Sequence, residues 1–317
     1  MLDDRLRHPS ILRIEPDGDC ADSGPDEIRP LHCTDVSLAD PVLPNLIVIG
    51  AEKCGTTSLH YYLDRHPEIA MSAEKELRFF VDSGAWHRGL DWYSSQFDPS
   101  APIRGESSPR YTAYPWSPEA PGRMAALIPD ARLVYLVRDP IDRIVSSYRF
   151  ARWLMGNETR ELAESLADFE ASLTVQRSRY AFQLERYLEH FPREQVLVLD
   201  LTDPTRSRAE VLQRVFRFLG VDDTFTSPAF GQVLHVTDAR RNPLGRVTVA
   251  ALDAALGKRR SNALRSRAPR AVLHPFVRRT PRVSLDPALR TALADYLRKD
   301  AARLRALTGE AFAHWSV

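Results

Sequence analysis

Three runs of consecutive apolar residues stand out from a chain that otherwise mixes apolar and polar positions: Leu46-Ile47-Val48-Ile49, Leu133-Val134-Tyr135-Leu136-Val137 and Val196-Leu197-Val198-Leu199. Each predicts a strand buried on both faces. Amphipathic stretches lie between them. Residues 57–66 predict a helix after the first run, and Pro140 sits at the first-turn position of a helix expected to reach about Trp153 after the second. Residues 180–191 place Phe182, Leu184, Tyr187 and Leu188 at helical spacing ahead of the third run, and residues 210–219 form a helix stopped by Gly220. Residues 285–307 form a terminal amphipathic helix with Pro287 in its first turn. Buried strands alternating with helices define an α/β class, with a central, mainly parallel sheet flanked by helices in three layers. Such sheets bind ligands at the carboxyl ends of their strands.

Composition narrows the class. The 317 residues carry 43 Lys+Arg against 42 Asp+Glu, a formal charge of +1, with 44% hydrophobic and 27% charged residues. That is a soluble globular composition, and its near-neutral balance argues against a dedicated nucleic-acid binder. No apolar run approaches the roughly 18 residues of a membrane span, and the opening MLDDRLRHPS has no secretion-signal pattern, so a cytoplasmic enzyme is expected. Cys20, Cys33 and Cys54 form no CxxC pair, so neither a disulfide framework nor a zinc site is expected. Only four basic residues are lysines (Lys53, Lys75, Lys258, Lys299); this arginine bias, with Ala-rich helices, points to a GC-rich bacterial genome. Residues 1–44 hold ten acidic and four basic residues without a sustained period and read as a loosely ordered extension, leaving residues 45–317 as one domain. Residues 240–282 hold twelve basic residues and one acidic, either a solvated helical face with loops or a lid over an anionic ligand.

The candidate chemistry begins after the first run, at Gly50-Ala51-Glu52-Lys53-Cys54-Gly55-Thr56-Thr57-Ser58. A strand that turns through a glycine-bearing loop into a helix aims backbone N–H groups and the positive helix end at one point, which suits a phosphate. The Gly50 to Gly55 spacing matches the start of GxxxxGK[ST], but Thr56 follows Gly55 and the lysine has moved to Lys53. The second run ends in Arg138-Asp139-Pro140, with Ser146 two helical turns further on. An arginine fork with a serine hydroxyl can hold a second phosphate, while Asp139 is expected to cap the helix. A nucleotide with phosphates at both ends of its ribose would use both sites.

On these residues the chain resembles the sulfotransferases that use 3′-phosphoadenosine 5′-phosphosulfate (PAPS), from about Pro44 onward. The segments Lys75-Glu76-Leu77-Arg78-Phe79-Phe80, Gly89-Leu90-Asp91-Trp92-Tyr93 and Gly105-Glu106-Ser107-Ser108-Pro109-Arg110-Tyr111 resemble the branch of heparan sulfate sulfotransferases and related bacterial enzymes. The resemblance implies a P-loop-type fold. It also implies that Lys53, Cys54, Gly55, Thr56, Thr57 and Ser58 bind the 5′-phosphosulfate, that Arg138 and Ser146 bind the 3′-phosphate, and that Arg240 or Arg241 completes that pocket. The product would be adenosine 3′,5′-bisphosphate, with no metal required.

Sulfuryl transfer needs an acceptor deprotonated and the leaving phosphate's bridging oxygen stabilised. Lys53 suits the second task. Glu76 is the candidate general base for in-line transfer, with Phe79 and Phe80 expected to wall it and raise its pKa. In the glycosaminoglycan enzymes of that branch a lysine commonly stands where this chain has Ser107, which weakens a polysaccharide assignment. His60 and His87 are alternative bases. The acceptor is expected to be a small molecule, glycolipid or carbohydrate bearing a hydroxyl or amine. A P-loop kinase or NTPase, with Asp200 as its magnesium ligand, is the competing enzyme class, and a catalytically silent nucleotide-binding scaffold the third.

Overall fold

The computed structural model describes residues 41–232 and 280–317, together with 239–241, 251, 254–255 and 277–279. Almost all of the 1–44 extension and most of the basic 240–282 segment therefore lie outside the described residues.

The first apolar run becomes β1 (Leu46–Gly50), buried along its whole length, followed by α1 (Thr56–Leu63). A short strand β2 (Ile69–Met71), the helix α2 (Gly89–Ser94) and β3 (Ile103–Ser107) come next, then α3 (Ala120–Leu127) and β4 (Arg132–Val137). The helix α4 (Pro140–Arg149) continues directly into a π-helical turn, Phe150–Met155. Two one-turn helices, α5 (Leu162–Ser165) and α6 (Leu173–Gln176), lead to α7 (Tyr180–Leu188), β5 (Val196–Asp200) and α8 (Arg208–Leu219). Two three-residue strands, β6 (Ala239–Arg241) and β7 (Val277–Arg279), pair antiparallel, and α9 (Pro287–Thr308) is the last helix.

The main sheet has the order β2-β3-β1-β4-β5, and every pairing in it is parallel. Parallel strands need helical crossovers, which cover both faces and explain why β1, β4 and β5 are nearly continuous in apolar residues. The central position of β1 places the loop after it between the carboxyl ends of β3 and β4. A large hydrophobic cluster surrounds the sheet, and a second, built from Ile141, Ile144, Tyr148, Leu162, Val175, Leu293 and Leu297, packs α4 against α9.

The predicted α/β class holds, and the three apolar runs are strands as expected. Two strands of the main sheet lay outside the long apolar runs. β2 is only three residues long, and β3 reads Ile-Arg-Gly-Glu-Ser, polar at the end that enters the site. The helix expected to reach Trp153 keeps α geometry to Arg149 and then widens to π.

Candidate active site

The loop between β1 and α1 is held in a shape that few residues accept. Gly50 lies so close to the next strand-end segment that a side-chain carbon there would fall on Thr112 Oγ1. Gly55, at the amino end of α1, adopts φ 92°, a left-handed conformation that favours glycine. Lys53 is also left-handed, at φ 72°. No side chain caps α1, so its first N–H groups are not taken up by a capping side chain. The N–H groups of a helix start and the helix dipole together favour an anion, and Lys53 lies three residues before α1.

The floor of the loop is a set of buried hydrogen bonds. The Ala51 N–H donates to Leu136 O of β4 at 2.7 Å. Arg143, fully buried on α4, donates from Nε to Glu52 O at 3.0 Å and from Nη1 to Thr174 O at 3.0 Å and Ser178 Oγ at 2.9 Å. Arg177 forms an ion pair with the Glu52 carboxylate at 3.1 Å. Cys54 sits beneath the loop with its Sγ 3.5 Å from Tyr180 Oη, and burial pushes its thiol up to about 11, so it contributes bulk rather than a nucleophile. Burial holds the Lys53 ammonium down at about 8; Glu52 opposes the shift, and Arg143 and Arg138 add to it.

Arg138 follows β4 on the ligand edge. Its Nη2 reaches Asp142 at 3.4 Å, while its Nε is buried with no hydrogen-bond partner. Asp139 caps α4 as expected, its Oδ1 accepting from the Asp142 N–H at 2.9 Å. Ser146 is half-buried on α4. Backbone N–H groups at a helix start and a buried guanidinium nitrogen without a hydrogen-bond partner at the end of the neighbouring strand fit a ligand with two anionic ends. The structure thus brings Lys53, Cys54, Gly55, Thr56, Thr57 and Ser58 to the strand next to the one that carries Arg138. Arg240 and Arg241 lie on β6, and their side chains are outside the described residues.

Glu76 enters from the other side. It follows β2 at φ 65°, its N–H donates to Ser107 O at 3.0 Å, and its carboxylate, about a third exposed, pairs with Lys75 Nζ at 2.9 Å. Phe79 and Phe80, the expected wall of Glu76, belong to an aromatic cluster. Phe79 stacks on Tyr93 at 3.9 Å, and Phe80 packs edge-on against Tyr93 and Tyr111, because a buried aromatic cluster removes more apolar surface from water. Of the two histidines, His87 is exposed in a 3₁₀ turn, whereas His60 Nδ1 lies 3.0 Å from Ser107 Oγ. Burial, with the Lys75 charge nearby, lowers the imidazole to about 4.

Three supporting features escaped the sequence. Arg143 and Arg177 brace the loop from helices far along the chain. Glu106, fully buried, accepts from Tyr93 Oη at 2.7 Å, Tyr111 Oη at 2.8 Å and Ser108 Oγ at 2.8 Å, which fixes the end of β3 beneath Glu76. An arginine interrupting the apolar face Ile141, Ile144, Tyr148 was the one visible signal. Asp200, the magnesium ligand of the kinase reading, is engaged otherwise. Its Oδ1 accepts from Thr202 and its Oδ2 from His314 Nε2 at 3.0 Å and Trp315 Nε1 at 2.9 Å. Among the described residues there is no group of three or more His, Cys, Asp or Glu side chains able to hold a metal.

A parallel sheet with a lysine-bearing anion loop on its central strand and an arginine on the adjacent strand end defines the P-loop-like sulfotransferase fold. The chain belongs to the sulfotransferase domain family, whose model matches residues 43–232. The membrane-associated sulfotransferase kil1 of Dictyostelium discoideum is 35% identical over 143 residues, 43% of this chain and 29% of that protein. The human bifunctional heparan sulfate N-deacetylase/N-sulfotransferase 3 is 32% identical over 195 residues, 56% of this chain and 22% of that protein. The match therefore spans less than a third of the length of these relatives. A solved sulfotransferase from Alicyclobacillus acidocaldarius superposes with a TM-score of 0.61 at 26% identity, covering 86% of this chain and 99% of that one. The resemblance read from the sequence holds, and with the ties on Asp200 it sets the kinase reading aside.

Proposed function

We propose that this chain transfers the sulfuryl group from PAPS to a hydroxyl or amine of a small-molecule, glycolipid or carbohydrate acceptor, within a catalytic domain spanning residues 45–317. The observation that carries the reading is the pairing of two anion sites on adjacent strands: the left-handed Lys53–Gly55 loop at the start of α1, and Arg138 with a free, buried Nε. PAPS is the donor this family uses. Its phosphosulfate would lie against Lys53, Gly55, Thr56, Thr57 and Ser58, and its 3′-phosphate against Arg138 and Ser146, with Arg240 or Arg241 completing that pocket. PAPS supplies the activated S–O bond; the protein supplies position and charge.

Lys53 follows the negative charge that develops on the leaving phosphate. With its titration near 8, it is cationic through neutral pH. Glu76 takes the acceptor proton as the acceptor oxygen or nitrogen attacks in line. Lys75 orients the Glu76 carboxylate, and the Glu76–Ser107 backbone bond fixes the loop that carries it. His60 is a second reading for the base, favoured by its place beside Ser107 and by a neutral ring at working pH. A cytoplasmic location and a bacterial source are consistent with the composition.

Calorimetry with two nucleotides tests the donor assignment. Adenosine 3′,5′-bisphosphate should bind much more tightly than 5′-AMP, and Arg138→Ala should remove most of that difference. Equal affinities in the wild-type protein would sink the assignment.

A further inference from the structure

The Lys53 ammonium rests on an aromatic face. Its Nζ lies 4.1 Å from the centroid of the Phe150 ring, within the range of a cation–π contact. Phe150 is half-buried and opens the π-helical turn Phe150–Met155 that follows α4. Short π segments inside helices recur at functional sites, because they re-aim side chains relative to the helix that precedes them.

The charges around Lys53 show why the ring matters. The groups that face it are Glu52, Arg143, Cys54 and Arg138. Glu52 is already paired with Arg177 at 3.1 Å, and its backbone oxygen accepts from Arg143. The buried Cys54 stays a neutral thiol at working pH. Arg177 thus occupies the Glu52 carboxylate and Arg138 has its own partner in Asp142, so the ammonium has little counter-charge of its own. Such a surplus suits an anionic donor, but it also works to deprotonate the lysine before the donor arrives. An aromatic face offsets this without offering a carboxylate that would compete with the donor.

We infer that Phe150 is a positioning residue for the transfer reaction, holding the Lys53 ammonium charged and aimed across the anion loop until the donor replaces the ring as its partner. The inference rests on the proposed role of Lys53. Phe150→Leu would keep the apolar burial and lose the ring face, whereas Phe150→Tyr would keep both.

The titration of Lys53 can be read without any turnover. With only four lysines in the chain, the pH dependence of acetic anhydride labelling, followed by mass spectrometry of the Lys53 peptide, reports that amine alone; Lys53→Arg identifies the peptide. Wild type and Phe150→Tyr should titrate near 8, and Phe150→Leu about one pH unit lower. An unchanged titration in Phe150→Leu, or a Phe150→Tyr protein that titrates like Phe150→Leu, would overturn the inference. Single-turnover transfer is the second arm. The alkaline limb of the rate profile should move down with the titration in Phe150→Leu and stay in place in Phe150→Tyr. A labelling shift without a matching shift in rate leaves Phe150 acting on Lys53 but removes Lys53 from the chemical step, so the two failures are distinguishable. A melting curve for each variant confirms that the labelling reports folded protein.

Discussion

Glu76 and His60 stand on the same side of the anion loop, and they differ in what a single substitution should do. Glu76→Gln keeps the shape and removes the base, so kcat should fall by roughly 10²- to 10⁴-fold while affinity for adenosine 3′,5′-bisphosphate stays near wild type. Single-turnover transfer and calorimetry on the same preparation check both halves. Turnover close to wild type would pass the proton to His60. The anion loop and Arg138 were legible in the sequence because their chemistry is local: a glycine, a lysine and hydroxyls at a strand-to-helix turn, and an arginine at a strand end. Arg143 and Glu106 were not. A charged side chain is tolerated at full burial only when partners engage it, and those partners, Thr174 and Ser178 for one and Tyr93 and Tyr111 for the other, arrive from other parts of the chain. The partners that Phe79 and Phe80 find, Tyr93 and Tyr111, were likewise not legible locally.

Between helices, one carboxylate does the work of a cap. No side chain at Arg179 caps α7; instead Asp300 of α9 accepts from the Ala181 N–H at 3.0 Å and the Phe182 N–H at 2.9 Å. Burial raises the Asp300 carboxyl to about 6 against the two hydrogen bonds that favour its charged form. A raised carboxyl binds its proton more tightly folded than unfolded. Its contribution to stability is therefore largest below the ordinary value of 3.8, declines as pH rises, and levels off above about 6. Asp300→Asn keeps one acceptor oxygen and cannot titrate. Urea unfolding of both proteins across that window should show wild type losing stability relative to the variant as pH rises; a constant difference would mean that Asp300 does not titrate there. The same scale separates what periodicity reveals from what it misses. Continuous apolar runs gave β1, β4 and β5, but β3 carries Glu106 and Ser107 into the site and so could not look like a core strand. The capping box of α8, where Ser207 and Glu210 satisfy each other's backbone, was readable only as a helix start near Glu210.

Across the molecule, the last residues fasten the ligand edge from below. Trp315 stacks on Phe312 at 4.3 Å and donates to Asp200, while the Ser316 N–H donates to Asp139 Oδ2, so one short segment ties the ends of β4 and β5 together. Trp315→Ala should cost about 3–5 kcal/mol, measured by urea unfolding, since it empties a buried aromatic site and removes one of the two donors to Asp200 Oδ2. A cost within about 0.5 kcal/mol would show the segment to be decoration. Terminal contacts of this kind are invisible to a local reading, because nothing in a tryptophan names the strand it will reach.

The neighbouring placement of β1 and β4 has one more consequence. Parallel strands sit about 4.8 Å apart, and here Val48 aligns with Val134 and Gly50 with Tyr135. The two proposed anion sites leave from the ends of that pair, so the separation of the segments that carry them is set by backbone hydrogen bonds. On the proposed reading, the pairing works as a fixed gauge for the span between two anionic groups. A slip of one residue along β4 would turn Arg138 to the opposite face and yield a folded protein that holds only one end of its ligand.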